Sequence, residues 1–381
     1  MKKYNSFLVI GLLIALTCTS QPSPGANDMN EYLPILKNKK VALVVNQTSV
    51  VANTHLLDTL NKLKVQVVTV FGPEHGFRGN ADAGEKVSNN IDAKTGIPVV
   101  SLYGKNKKPS PEQLKGIDVV IFDIQDVGVR FYTYISTLHY VMEACAENNV
   151  TLLVLDRPNP NGMYIDGPVL DTAFRSFVGM HPIPVVHGLT VGELAQMING
   201  EGWLEKGQKC KLKVVKCKNY THKSYYSLSV KPSPNLPNDL SIALYPSLCL
   251  FEGTNISVAR GTYFPFQAIG YPDSTFGTFN FTPISIEGMA KEPMHMNKKC
   301  YGLDLRTTPI SYSFTIKYLI DFYNKSQNKE KFFNNFFNKL AGNAELMNQI
   351  KSGMNEKEIK ESWSTKLMAY KTTRSKYLLY E

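Results

Sequence analysis

The sequence lacks several features that would decide a function at once. After the apolar run Phe7 to Leu16, no stretch is long and apolar enough to cross a bilayer, so a polytopic membrane protein is excluded. The formal charge is +10, but no block of five or six Lys/Arg occurs, which speaks against nucleic-acid binding. Attraction to an acidic polymer or a membrane surface remains open. There is no Cys-x-x-Cys among the 6 cysteines and no His-x-x-x-His among the 7 histidines, so the usual metal spacings are missing. No glycine-rich phosphate loop follows the first strand-like run, which argues against a nucleotide or nicotinamide cofactor. No cofactor and no metal are expected.

The amino terminus sets the compartment. Met1-Lys2-Lys3 followed by Phe7 to Leu16 has the form of a secretory signal, so residues 1–18 leave the fold and the protein is expected to be exported. Cys18 after Ala15-Leu16-Thr17 resembles a lipobox, although Thr17 is bulky for that position. Two readings stand: a periplasmic or outer-membrane-anchored lipoprotein held through Cys18, or an ordinary signal with an incidental cysteine. Residues 19–30 are a polar, Pro/Gly-containing tether. Cys145 falls on the apolar face of a helix as a buried thiol, whereas Cys210 and Cys217 flank a short strand, where pairing is undecided.

From residue 31 the chain alternates strands and helices. Val41 to Val45, Val65 to Val70, Val99 to Tyr103, Asp118 to Phe122, Thr151 to Leu155 and Lys211 to Cys217 read as strands. His55 to Leu63 and the stripe Ile135, Leu138, Met142 and Cys145 read as helices. Continuous apolar strands with helices between them predict an α/β fold, a Rossmann-like parallel sheet with helices on both faces. Polar residues gather where strands end, which is where such sheets bind ligands. Near Pro237 the texture changes to proline-dense segments and then to helices around Phe314 to Tyr323 and Phe332 to Leu340, whose aromatic stripes read as core. The expected division is a Rossmann-like catalytic domain at 31–237 and a smaller α+β domain at 238–381 that contributes to the cleft.

The loop Phe71-Gly72-Pro73-Glu74-His75-Gly76-Phe77-Arg78-Gly79 places an acid and an imidazole just past a strand. Glu74 can act as a proton donor there; it can also be a surface charge on a turn. Asp123 and Asp126 end the next strand, beside the amino terminus of a helix that favours negative charge, with Arg130 close by. Either aspartate can equally cap that helix or pair with Arg130. Asp156-Arg157 can be a structural ion pair, but the rigid Pro158-Asn159-Pro160 after it favours ligand contact.

Taken together, Phe71 to Gly76, Asp123 to Tyr134, Leu155 to Pro160, Ser233 to Pro237 and Glu252 to Asn255 resemble the NamZ-type exo-β-N-acetylmuramidase family. The likeness extends to the closing Arg374 to Tyr380. One departure is Ala259, where the family's loop carries glycine. The resemblance implies release of N-acetylmuramic acid from non-reducing ends of peptidoglycan fragments, so muramyl saccharides are the expected partners. Glu74 is then the general acid/base, assisted by His75, Asp123 and Asp126. The second catalytic group stays open among Asp123, Asp126, Glu252 and the substrate's own 2-acetamido group. The lactyl carboxylate of muramic acid calls for guanidinium groups, with Arg78, Arg130, Arg157 and Arg260 as candidates. Asn46, Tyr132, Asp156, Asn159, Asn235, Glu252 and Asn255 complete the expected substrate contacts. Two alternatives remain: a metal-dependent hydrolase built on Glu74, His75 and the aspartates, and a muropeptide-binding lipoprotein without catalysis.

Overall fold

The computed structural model describes residues 21–74, 76–77 and 90–381. His75, Arg78 and the leader with Cys18 lie outside the described residues, as do the expectations attached to them. In chain order the first part comprises α1 (Met29–Leu36), β1 (Val41–Val45), the hairpin β2 (Val50–Val51) and β3 (Thr54–His55), α2 (Leu56–Lys62) and β4 (Val67–Gly72). Then come β5 (Asn90–Ile91), β6 (Pro98–Ser101), α3 (Pro111–Leu114), β7 (Val119–Asp123), α4 (Tyr134–Glu147), β8 (Thr151–Leu155), α5 (Val191–Gly200) and β9 (Lys211–Val215). Seven strands form one sheet in the order β5-β6-β4-β1-β7-β8-β9. Only the edge strand β5 runs antiparallel to its neighbour.

Strand β1 explains why both faces are covered. Ala42 and Val44 point into a core shared with Leu138 and Met142 of α4 and Leu194 of α5. Val41, Leu43 and Val45 point into a second core with Tyr32 of α1 and Leu56, Leu57 and Leu60 of α2. The period of two in the strand thus feeds two helical layers. The order of the parallel strands reverses direction between β1 and β7, so the loops after these strands diverge and open a crevice at the carboxyl edge.

Strand β4 starts and ends two residues later than the sequence suggested. Leu60 carbonyl accepts the Val65 N–H, and Lys64 has φ 58°, which keeps Val65 in the turn that closes α2. At its other end Gly72 pairs with Ser101, so the strand runs almost to Glu74. His55, expected as the first residue of a helix, caps it: its Nδ1 accepts the Leu57 N–H at 3.2 Å.

The second part contains α6 (Asp239–Leu248) and a three-stranded antiparallel sheet of β10 (Ala268–Tyr271), β11 (Phe279–Phe281) and β12 (Cys300–Asp304), with β12 central. Helices α7 (Lys317–Lys325), α8 (Phe337–Ala341), α9 (Glu345–Lys351), α10 (Glu356–Ser362) and α11 (Ser364–Arg374) follow. Phe332, Phe333 and Phe337 pack edge to face, 4.9 Å and 4.5 Å between successive ring centroids, as core. Helix is absent from Phe332 to Phe336 because the Asn334 side chain bonds to the Glu252 and Thr254 carbonyls and accepts the Phe336 N–H. The chain then returns to the first domain, where Tyr370 donates to the His187 carbonyl at 2.6 Å and Tyr380 to Asp156 at 2.7 Å. Cys145, Cys210, Cys217, Cys249 and Cys300 are all buried free thiols.

Candidate active site

Glu74 stands two residues past the end of β4, on a turn where the Gly76 N–H bonds to the Pro73 carbonyl and Gly76 takes φ 76°. Its Oε2 accepts a 2.6 Å hydrogen bond from Thr133 Oγ1. Thr133 occupies the N-cap position of α4 but makes no capping bond with its own helix, so its hydroxyl is given to Glu74. The carboxylate therefore faces the positive end of a 14-residue helix. Tyr103, just beyond β6, also bonds to Glu74; burial and that carboxylate together push the phenol's pKa up.

Glu74 forms one wall of a narrow cleft of about 120 Å3. Phe131 to Tyr134 continue that wall from the first domain, while Tyr245, Glu252, Arg260 and Phe336 come from the second. Tyr132 donates to the Pro232 carbonyl at 2.8 Å, which ties the loop before α4 to the crossing segment. Asn235 also lines the cleft; its amide nitrogen donates to the Met289 carbonyl, and its Oδ1 has no partner among the described residues.

Across the cleft Arg260 donates from Nε to Glu252 Oε1 at 2.6 Å and lies 5.0 Å from the centre of the Phe266 ring. Burial opposes its charge, but Glu252 outweighs that and raises the guanidinium's pKa. Cys249 holds the other oxygen of Glu252 at 3.3 Å. Among the described residues Arg260 is the only guanidinium lining this cleft. The preceding Ala259, at the departure from the family's glycine, has φ 60°. That is the left-handed region a glycine would favour, and alanine adopts it here with its carbonyl held by the Thr262 hydroxyl at 2.7 Å.

The remaining described residues among those expected are not part of the cleft lining, and all but the half-buried Asn255 are buried. Arg157, expected to meet substrate, forms a two-pronged bond to Asp123 at 2.6 and 3.0 Å, so each side chain has the other as its partner. Among the described residues Arg130 has no carboxylate partner. Its two terminal nitrogens donate to the carbonyls of Pro168, Ile183, Leu340 and Ala341 at 2.6 to 2.9 Å, and burial pushes its pKa down to about 9. Asp126 accepts the Gly128 N–H at 2.6 Å, and burial raises its pKa to about 7. Gly128 has φ 75°, and a Cβ there would meet the Asn159 amide at 2.2 Å, so this turn needs glycine. Asp156 collects the Arg157 and Gly192 N–H groups and the hydroxyls of Thr190 and Tyr380; burial still raises it to about 6. Asn46 accepts from Thr48, Asn159 donates to the Leu189 carbonyl, and the Asn255 carbonyl accepts from His295. These residues shape loops from behind.

Sequence reasoning missed Thr133 and Tyr103 as partners of Glu74. Tyr103 lies two residues past the end of β6, so the strand-end rule could have found it, whereas Thr133, at the start of α4, was signalled only by its place inside the motif that carried the family likeness.

The fold defines a Rossmann-like protein with a smaller carboxyl-terminal domain, and its cleft is lined by a loop carboxylate of the first part and a guanidinium of the second. The chain belongs to the NamZ exo-β-N-acetylmuramidase family: residues 41–240 match its amino-terminal domain and residues 243–380 its carboxyl-terminal domain. It is 40% identical to the peptidoglycan β-N-acetylmuramidase NamZ of Bacillus subtilis (strain 168) over 376 residues, covering 92% of this chain and 89% of that protein. A crystal structure of a DUF1343 family protein from Bacteroides fragilis NCTC 9343 superimposes with a TM-score of 0.89 at 47% identity, covering 95% of this chain and 99% of that one. A second such protein from the same strain gives 0.80 at 28% identity, with the same coverage of both chains.

Proposed function

We propose that this chain is an exported exo-β-N-acetylmuramidase, acting on peptidoglycan fragments with Glu74 as general acid/base. The observation that carries the reading is the cleft itself, where a carboxyl group oriented by Thr133 and Tyr103 shares one cavity with Arg260. Glu74 protonates the glycosidic oxygen as the bond to the anomeric carbon breaks. Arg260 has its Nε bound to Glu252, which leaves the terminal N–H groups to fork onto the lactyl carboxylate of muramic acid. Glu252 then serves to aim Arg260, and attack at the anomeric carbon falls to the substrate's own 2-acetamido oxygen. Asn235 Oδ1 is an acceptor for the amide N–H of that group. At the cell wall the enzyme is either held through a lipid on Cys18 or free, and its leader favours export in both cases.

The test is hydrolysis of a chromogenic β-muramide beside its β-glucosaminide counterpart, with and without chelator. Release from the muramide alone, unaffected by chelator, is expected. Arg260→Lys should lose most of that preference, roughly tenfold or more in kcat/KM on the muramide, because a point charge does not restore the fork. Equal turnover of both sugars by the parent would show that the lactyl group is not read.

A further inference from the structure

Tyr103 bonds to Glu74 and is not itself among the residues lining the cleft. From it a short aromatic row leads away. The Phe177 ring centre is 6.2 Å from that of Tyr103, inclined by 57°, and Tyr140 stacks against Phe177 at 6.4 Å with only 18° between planes. All three rings are half-buried and none belongs to the main hydrophobic cores. The ammonium of Lys107 lies over the Phe177 ring, 4.8 Å from its centre. The row is anchored: Ser136 of α4 donates to the Phe177 carbonyl at 2.7 Å, and Val178, next in sequence, lines the cleft.

A general acid must reach the oxygen joining the two sugars, so the leaving sugar lies on the acid's side of the cleft, away from Arg260. The electron-rich face of an aromatic ring attracts the weakly positive C–H face of a pyranose as it attracts an ammonium. We infer that Tyr103, Phe177 and Tyr140, rimmed by Lys107, form the leaving-side subsite that takes the sugar ring following the scissile bond. This inference rests on the muramidase reading. It assigns to the enzyme a preference for aglycones that are themselves pyranoses, with Lys107 donating to hydroxyl or carboxylate oxygens at the ring's edge.

The experiment compares two substrates that share the muramyl ring and differ only beyond the bond. One is the β-1,4-linked muramyl-glucosamine disaccharide; the other is muramyl fluoride, whose leaving group is a single atom. Phe177→Ala should raise KM for the disaccharide about tenfold and leave kcat/KM for the fluoride within about twofold. Phe177→Leu keeps the bulk, guards against a folding defect, and should give the same split. Equal losses on both substrates, or no loss on either, would overturn the subsite. If the parent enzyme hydrolyses neither compound, the muramidase reading fails and not the subsite alone.

Discussion

Three arginines of one residue type have three different fates here, and the difference lies in what each can reach. Arg157 meets Asp123, Arg130 meets four carbonyls, and Arg260 meets Glu252 in the lining of the cleft. Each stands in a loop beside acids or aromatics, so the sequence ranked them alike; partners distant in sequence, such as Leu340 for Arg130, were not legible. Glu74 was legible because the strand before it and the glycine after it fix its place locally. Asp126 carries a prediction of its own. Its folded pKa of about 7 exceeds the unfolded value of about 3.9, so between these pH values the folded state keeps a proton that the unfolded state releases. Stability from this group is therefore greatest at low pH, falls as pH rises through that window, and levels off above it. His187, 3.9 Å away and pushed down to about 3 by burial, titrates with the opposite sign over much of the same range, but it does so in parent and variant alike and cancels in their difference. Asp126→Asn keeps an acceptor for the Gly128 N–H and removes the penalty, so its stability should gain on the parent between about pH 4 and pH 7 and hold that gain above. Asp156 titrates with the same sign in both proteins and cancels. Parallel pH profiles in thermal melts would contradict the assignment.

At the scale of elements, the strand and helix pattern was largely legible, since β1, β7 and β8 carry continuous apolar runs and α4 a clear stripe. The edges were less so. Local backbone and side-chain bonds shifted β4 and broke the helix expected from Phe332, and periodicity carries no sign of either. The join between elements of the two domains centres on Arg130, which reaches the end of α8 from the loop before α4. Arg130→Met fills the same space but leaves four buried carbonyls without that donor. Unfolding in urea should show a loss of roughly 3 kcal/mol or more. An unchanged midpoint would mean that the carbonyls find other donors and that the rivet is dispensable.

Over the whole molecule, the crevice at the sheet's carboxyl edge becomes a walled cleft because the second domain packs against it and the last residues return to Asp156 and His187. The sequence indicated an auxiliary domain contributing to the cleft and named Glu252 and Arg260 among its contacts; it did not indicate that the two would pair with each other. A site closed on several sides suits a chain end better than the middle of a polymer. The most direct measurement is therefore product analysis of peptidoglycan glycan strands that carry muramic acid at the non-reducing end, incubated with the protein and with Glu74→Gln. Free N-acetylmuramic acid and strands shortened by one residue are the predicted products, with release slowed by about 100-fold or more in a folded Glu74→Gln variant. Internal fragments, or release by Glu74→Gln at the parent's rate, would contradict an exo-acting enzyme with Glu74 as its acid.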